Sequence, residues 1–311
     1  MKSLLRLIQG AFFISIVATA IWIPSTHAID LGGFGGGFGG GLFSGGDAEE
    51  EDNAIDIGEI FDGVKDISRT ITGIDEETEI IIGRDAAAVL LGASKPVNDP
   101  ELQRYVNKVG RWVVNQTNRA HLPWRFAVLS STHVNAFATP GGNIFITDGL
   151  LRTLTGEAEL AAVLAHEVAH VIQKHHIKAM SSLNTSGLSG VLKLAGQTKA
   201  GQSNRMTTAV VGQVKDVYLR GLDKDDEFEA DRMGVVIASR AGYDPFALVA
   251  VLQTLDSIDP EHSSLSLLYK THPTASDRLD RLDPALAQFD DHAEESPLLE
   301  QRFNKYVARR L

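Results

Sequence analysis

The chain of 311 residues contains no cysteine. That absence excludes disulfides, thiolate metal sites, cysteine nucleophiles and a lipid-modified N-terminal cysteine, so any metal must be held by His, Asp or Glu. Positive charge is scarce as well: 29 Lys and Arg stand against 40 Asp and Glu, a formal net charge of −11. Such an acidic body lacks the basic face that nucleic acid requires, so no nucleic-acid partner is expected. Long apolar runs are missing except for one at the N-terminus, and no internal repeat of solenoid length is present. What the chain does have is 43% hydrophobic residues, enough to bury a real core in one large domain or two small ones.

The N-terminal run reads as an export signal, residues 1–28. Lys2 and Arg6 form a short basic region, Ala11 to Ile23 is almost wholly apolar, and small residues precede a cut after Ala28. The apolar stretch is short for a membrane span of about 20 residues, which favours cleavage over anchoring. Removing it leaves 27 Lys and Arg against 40 Asp and Glu, a charge of −13. An exported, cysteine-free, acidic protein fits the periplasm better than a disulfide-rich secreted setting.

Residues 29–74 read as a flexible linker. The GGFGGGFGGGLFSGG stretch is too rich in glycine to repay its ordering entropy, and the acidic run Asp47–Asp52 extends it. Phe34, Phe38 and Phe43 read as sparse hydrophobes in a tether, with peripheral contact to a partner or the outer membrane as the alternative. Helical signals begin near residue 75. Asp99 and Pro100 give an N-cap and N1 proline, and Leu102, Val106, Val109 and Val113 recur at helical spacing. Three short strands follow at 125–130, 134–139 and 143–147, with Pro140-Gly141-Gly142 as the last turn. Helices return from Leu150 almost to the end, with boundaries at Thr155, at Gly242 with Asp244-Pro245, and at Pro273. The expected fold is α+β and mainly helical, with a small antiparallel sheet. Its domain covers 75–285, and 286–311 form a C-terminal helical tail.

The chemistry concentrates in His166-Glu167-Val168-Ala169-His170. Two histidines at i and i+4 share one helix face and can share a metal ion, while Glu167 beside them is placed to act as a base without ligating. Glu157 and Glu159 in the first turn favour the helix dipole. His175 and His176, being adjacent, point about 100° apart on a helix and read as solvent-facing. A catalytic zinc usually needs a third protein ligand. The downstream candidates are Glu227 and Asp231, again i and i+4: one carboxylate can bind metal, the other can fix the tautomer of a ligand histidine.

With these motifs together, the chain resembles the HtpX and CAAX prenyl endopeptidase family of zinc metallopeptidases (gluzincins), and most of all its soluble periplasmic branch. The resemblance runs from about residue 76 to about 285. It includes Asn135–Gly142, Leu160–His170, Ala241–Pro245, Thr271-His272-Pro273 and Arg278. It implies a zincin-type domain with one Zn2+ per chain, ligated by His166, His170 and Glu227. It also implies Glu167 as catalytic base, Asp231 as the supporting acid, and His272 and Arg278 as residues facing the metal and steadying the oxyanion. Some periplasmic relatives carry tetratricopeptide repeats after the protease domain; with residues 286–311 following it here, no such module is expected.

These readings lead to metal-assisted peptide-bond hydrolysis. Phe137 and Ala138 are expected on an edge strand, where an extended substrate could add by main-chain hydrogen bonds with little sequence preference. Unfolded or misassembled envelope proteins suit such a mode as substrates. The stretch between Met180 and Asp226 could cover the cleft, with His272 as a fourth ligand. The rival reading is a metal-bound chaperone or assembly scaffold with little proteolysis, against which the intact base and ligand set argue.

Overall fold

The structure, a computed structural model, describes residues 74–183, 217–218, 220–258, 262–289 and 297–311. The expected export signal, the glycine-rich tether up to residue 73 and most of the 180–226 stretch lie outside the described residues. Among these residues, no helix is long and apolar enough to cross a membrane.

Helix α1 spans Glu76–Ala93, capped by Asp75, whose side chain accepts from the Thr78 amide at 2.7 Å. Helix α2, Pro100–Val114, starts as its sequence dictates: Asp99 accepts from the amides of Glu101 and Leu102 at 3.0 and 3.1 Å, and Pro100 leads the first turn. Leu102, Val106, Val109 and Val113 are all buried. Strands β1 (Arg125–Leu129), β2 (Ala136–Thr139) and β3 (Asn143–Thr147) follow. After them come α3 (Asp148–Leu151), α4 (Glu157–Ile172), α5 (His175–Leu183), α6 (Lys224–Arg240), α7 (Ala247–Asp256), α8 (Leu268–Thr271), α9 (Ala275–Leu286), α10 (Pro297–Phe303) and a closing π-turn at Asn304–Ala308.

The mainly helical α+β reading holds, but the sheet is mixed rather than antiparallel. Its order is β1-β3-β2, with β2 antiparallel and β1 parallel to β3. The tight turn at Gly141 (φ 72°) and Gly142 (φ 99°) returns β3 between the two earlier strands. β3 is therefore central, and all five of its residues are buried. The two outer edges differ. Along β1, side-chain amides of α2 replace a strand: Gln103 donates to the carbonyls of Val97 and Val128 and accepts from the Val128 amide, and Asn107 bonds both backbone groups of Phe126. Along β2, the Tyr218 hydroxyl donates to the Ala138 carbonyl.

The core lies between α2, the sheet, α4, α6, α7 and α9. All sixteen residues of α4 are buried, polar ones included. Glu157, at its first turn, accepts from the hydroxyls of Tyr105 and Tyr243 and from Arg302, so it ties α2 and α10 to α4 rather than only facing the helix dipole. Helix α6 ends as a Schellman turn: the Tyr243 amide reaches the Ala238 carbonyl, the Gly242 amide reaches Ser239, and Gly242 takes φ 84°.

Candidate metal centre and active site

The buried helix α4 delivers His166 and His170 one turn apart, with their Nε2 atoms 3.0 Å from each other. Helix α6 packs across it and brings Glu227 to the same point: its carboxylate oxygens lie 3.6 Å from each Nε2. His272, just past α8, sends its own Nε2 to within 3.6 Å of Glu227. One donor atom from each of His166, His170, Glu227 and His272 falls within 4.8 Å of the others. Oε2 of Glu227 is buried without a hydrogen-bond partner. A buried, unpartnered carboxylate oxygen facing imidazole nitrogens is costly on its own and suits a divalent cation, and two imidazoles with one carboxylate suit zinc.

The second pair of sequence candidates supports His166 from behind. Asp231 Oδ1 lies 2.8 Å from His166 Nδ1. Arg278, on α9, donates to Asp231 from Nε at 2.8 Å and from Nη2 at 2.5 Å, and all three side chains are buried. Burial alone would raise the Asp231 carboxyl, but Arg278 and His166 outweigh it and hold it well below the usual carboxylate range. Burial would lower His166, yet the Asp231 carboxylate lifts it to about 9. Burial lowers His272 to about 4 and His170 well below its ordinary value, so both stay neutral near pH 7. Glu167, pointing into the same pocket, is pushed up by burial to about 7. Two narrow cavities flank it, one toward α7 and α8, the other along β2 and Tyr218. A wider groove lies elsewhere, around Tyr105, Trp112, Tyr243 and Tyr306.

A model described as peptidase family M48 matches residues 99–285, a stretch that holds every residue of this site. The chain belongs to that family. It is 31% identical over 197 residues to the beta-barrel assembly-enhancing protease of Escherichia coli K12, covering 61% of this chain and 40% of the relative. A putative protease of the same name from Vibrio cholerae is 33% identical over 214 residues, 65% of this chain and 43% of the relative. The mitochondrial metalloendopeptidase OMA1 of Schizosaccharomyces pombe is 27% identical over 184 residues, 59% and 53%. The matched part thus spans roughly two fifths to one half of these relatives.

Within this M48 site, one sequence expectation is overturned. His175 and His176 do not face solvent; both are buried. Helix α4 stops at Ile172, Lys174 takes a left-handed φ of 57°, and α5 starts afresh at His175, so one continuous helical wheel does not apply. The reversal turns His175 back onto His170, with the two Nδ1 atoms 2.8 Å apart. His176 stacks on Tyr218 at 5.2 Å between ring centroids. Sequence reasoning also passed over Asp226 and Glu229, whose carboxylates face the far side of His175 at 3.9 and 3.5 Å. The signal available for them was only their place beside Glu227 on the same helix.

Proposed function

We propose that the chain is a zinc-dependent endopeptidase, exported to the periplasm, that cleaves unfolded or misassembled envelope proteins. The observation that carries the reading is Glu167. Its carboxyl is buried beside the His166, His170 and Glu227 donor set, and its pKa of about 7 suits a group that must take and return a proton near neutrality. One zinc ion held by His166, His170 and Glu227 would supply Lewis acidity toward the scissile carbonyl and the attacking water.

The chain's own residues do the rest. Glu167 accepts a proton from water and passes it to the leaving amine. Asp231 fixes the tautomer and orientation of His166. Arg278, with Nε and Nη2 turned to Asp231, steadies that carboxylate, which leaves the oxyanion to His272. The outer edge of β2 offers main-chain groups to an extended substrate, which selects for unfolded chain rather than for a sequence motif. The names of the bacterial relatives support envelope proteins as targets.

The test is cleavage of casein by the chain lacking residues 1–28, beside Glu167→Gln, with zinc content measured on both. One zinc in each and cleavage by the native chain alone is the expected result. A variant that cleaves as well as the native chain, or a native chain that holds no metal, would sink the reading.

A further inference from the structure

The reversal at Lys174 places His175 behind the donor set, where it meets Asp226 and Glu229 of α6. His175 Nδ1 faces His170 Nδ1 at 2.8 Å, and its Nε2, buried and without a hydrogen-bond partner, faces Glu229 Oε2 at 3.5 Å and Asp226 Oδ1 at 3.9 Å. Asp226 is also bonded by Lys178 Nζ at 2.5 Å, and Glu229 accepts from the Gln173 amide.

Two ring nitrogens at 2.8 Å require one proton between them. If a neutral His175 carried that proton on Nδ1, its bare Nε2 would confront two carboxylates. The partner nitrogen of His170 would then be the acceptor, and the remaining proton of neutral His170 would sit on Nε2, blocking the donor set. If His170 carries it, the opposite holds throughout. His175 accepts on Nδ1, its Nε2–H points at Glu229 and Asp226, and His170 presents a bare Nε2 beside His166 and Glu227. We infer that His175 is a positioning residue that locks His170 in the tautomer able to bind metal, and that Glu229 and Asp226 set His175 in turn. The inference rests on the metallopeptidase reading for its purpose, though the tautomer is a property of the metal-free chain.

The same triad is the second place among the described residues where His and carboxylate donors converge. Its chemistry argues against a second ion. A cation on His175 Nε2 would force that ring's proton onto Nδ1, opposite the Nδ1–H that a metal-bound His170 must carry, and Lys178 already neutralises Asp226.

The experiment uses the chain lacking residues 1–28. Long-range 15N–1H spectra of the metal-free protein, with histidines assigned by substitution, report each tautomer directly. His170 is expected to carry its proton on Nδ1 and His175 on Nε2. A His170 protonated on Nε2 would overturn the inference whether or not the chain proves to be a peptidase. Zinc affinity by chelator competition is then compared in His175→Leu and His175→Asn. Loss of the acceptor in His175→Leu should weaken binding about 10- to 100-fold, and the carboxamide oxygen of His175→Asn should restore most of it. Equal loss in both would reduce His175 to packing. A native stoichiometry of two zinc ions, falling to one in His175→Asn, would make the triad a metal site instead. A native chain that binds no zinc, yet shows the expected tautomers, would sink the metallopeptidase reading and leave this arrangement standing.

Discussion

Gly234 on α6 lies against the backbone of His166 on α4: a Cβ at position 234 would sit 3.0 Å from the His166 nitrogen and 3.1 Å from its Cα. That close approach lets one helix bring Glu227 and Asp231 to the histidines of the other. Gly234→Ala should therefore separate the two halves of the donor set. Overpacking of this kind costs about 1–3 kcal/mol in stability, and the site lies at the point of strain. Thermal unfolding and zinc affinity should both fall. Gly92→Ala is the control, because nothing lies within 4 Å of a Cβ there and it sits exposed near the end of α1. It should stabilise by up to about 1 kcal/mol and leave zinc binding unchanged. If Gly234→Ala binds zinc as the native chain does, the close crossing is not what sets the site.

The Asp231–Arg278 pair should respond asymmetrically. Arg278→Met strands a carboxylate in the interior beside His166 and is expected to cost about 3–5 kcal/mol. Asp231→Leu combined with Arg278→Met removes both charges and should recover much of that loss in a denaturant titration. Zinc affinity tells the other half. Asp231→Asn keeps the shape but weakens the hold on His166 Nδ1, and should lower affinity about 10- to 100-fold. A double variant as unstable as Arg278→Met alone would mean that packing, not charge, governs the pair.

Much of this was legible in the chain before its fold. The spacing of Leu102, Val106, Val109 and Val113 marked a buried helix face, and the three strands lie within a residue or two of where alternation put them. That His166 and His170 share one helix face was legible because an i and i+4 pair carries its geometry with it, whereas the spacing left Glu227 and Asp231 as alternatives and only the resemblance singled out Glu227 and added His272. What failed needed knowledge of how elements meet. Strand order was hidden because the Gly141-Gly142 turn fixes β2 against β3 but does not say that β1 joins the far side of β3. The burial of His175 was hidden because it depends on a left-handed Lys174, a residue type that gives no warning of it. Glu157 looked like a dipole partner because Arg302, which pairs with it, lies far along the chain.

Metal uptake should depend on pH with a definite sign. In the metal-free chain His166 is lifted to about 9, so near neutrality it holds a proton that a cation at Nε2 must displace. Apparent zinc affinity should climb about tenfold per pH unit between roughly pH 7 and 9 and then level off. The proton has the converse effect on the metal-free fold. A raised pKa contributes stability that is fully present below the ordinary imidazole value of 6.5 and is lost as pH rises through about 9. Chelator competition across this range checks the slope, and an affinity already flat from pH 7 would show that His166 is bare before metal arrives.

Tyr218 guards the edge on which the substrate is proposed to lie. Its hydroxyl donates to the Ala138 carbonyl, and its ring packs against His176 and, edge-on, against Phe137 at 6.1 Å. An extended peptide adding to β2 must take that carbonyl for itself. Tyr218→Phe keeps the ring and removes the competing donor, a bond worth about 0.5–1.5 kcal/mol net. KM for casein should therefore fall about two- to tenfold while kcat holds, because the hydroxyl spends its hydrogen bond on the Ala138 carbonyl. A change in kcat instead would place Tyr218 within the chemistry. An unchanged KM would mean that substrate does not use this edge, and the preference for unfolded chains would then need another source than strand addition.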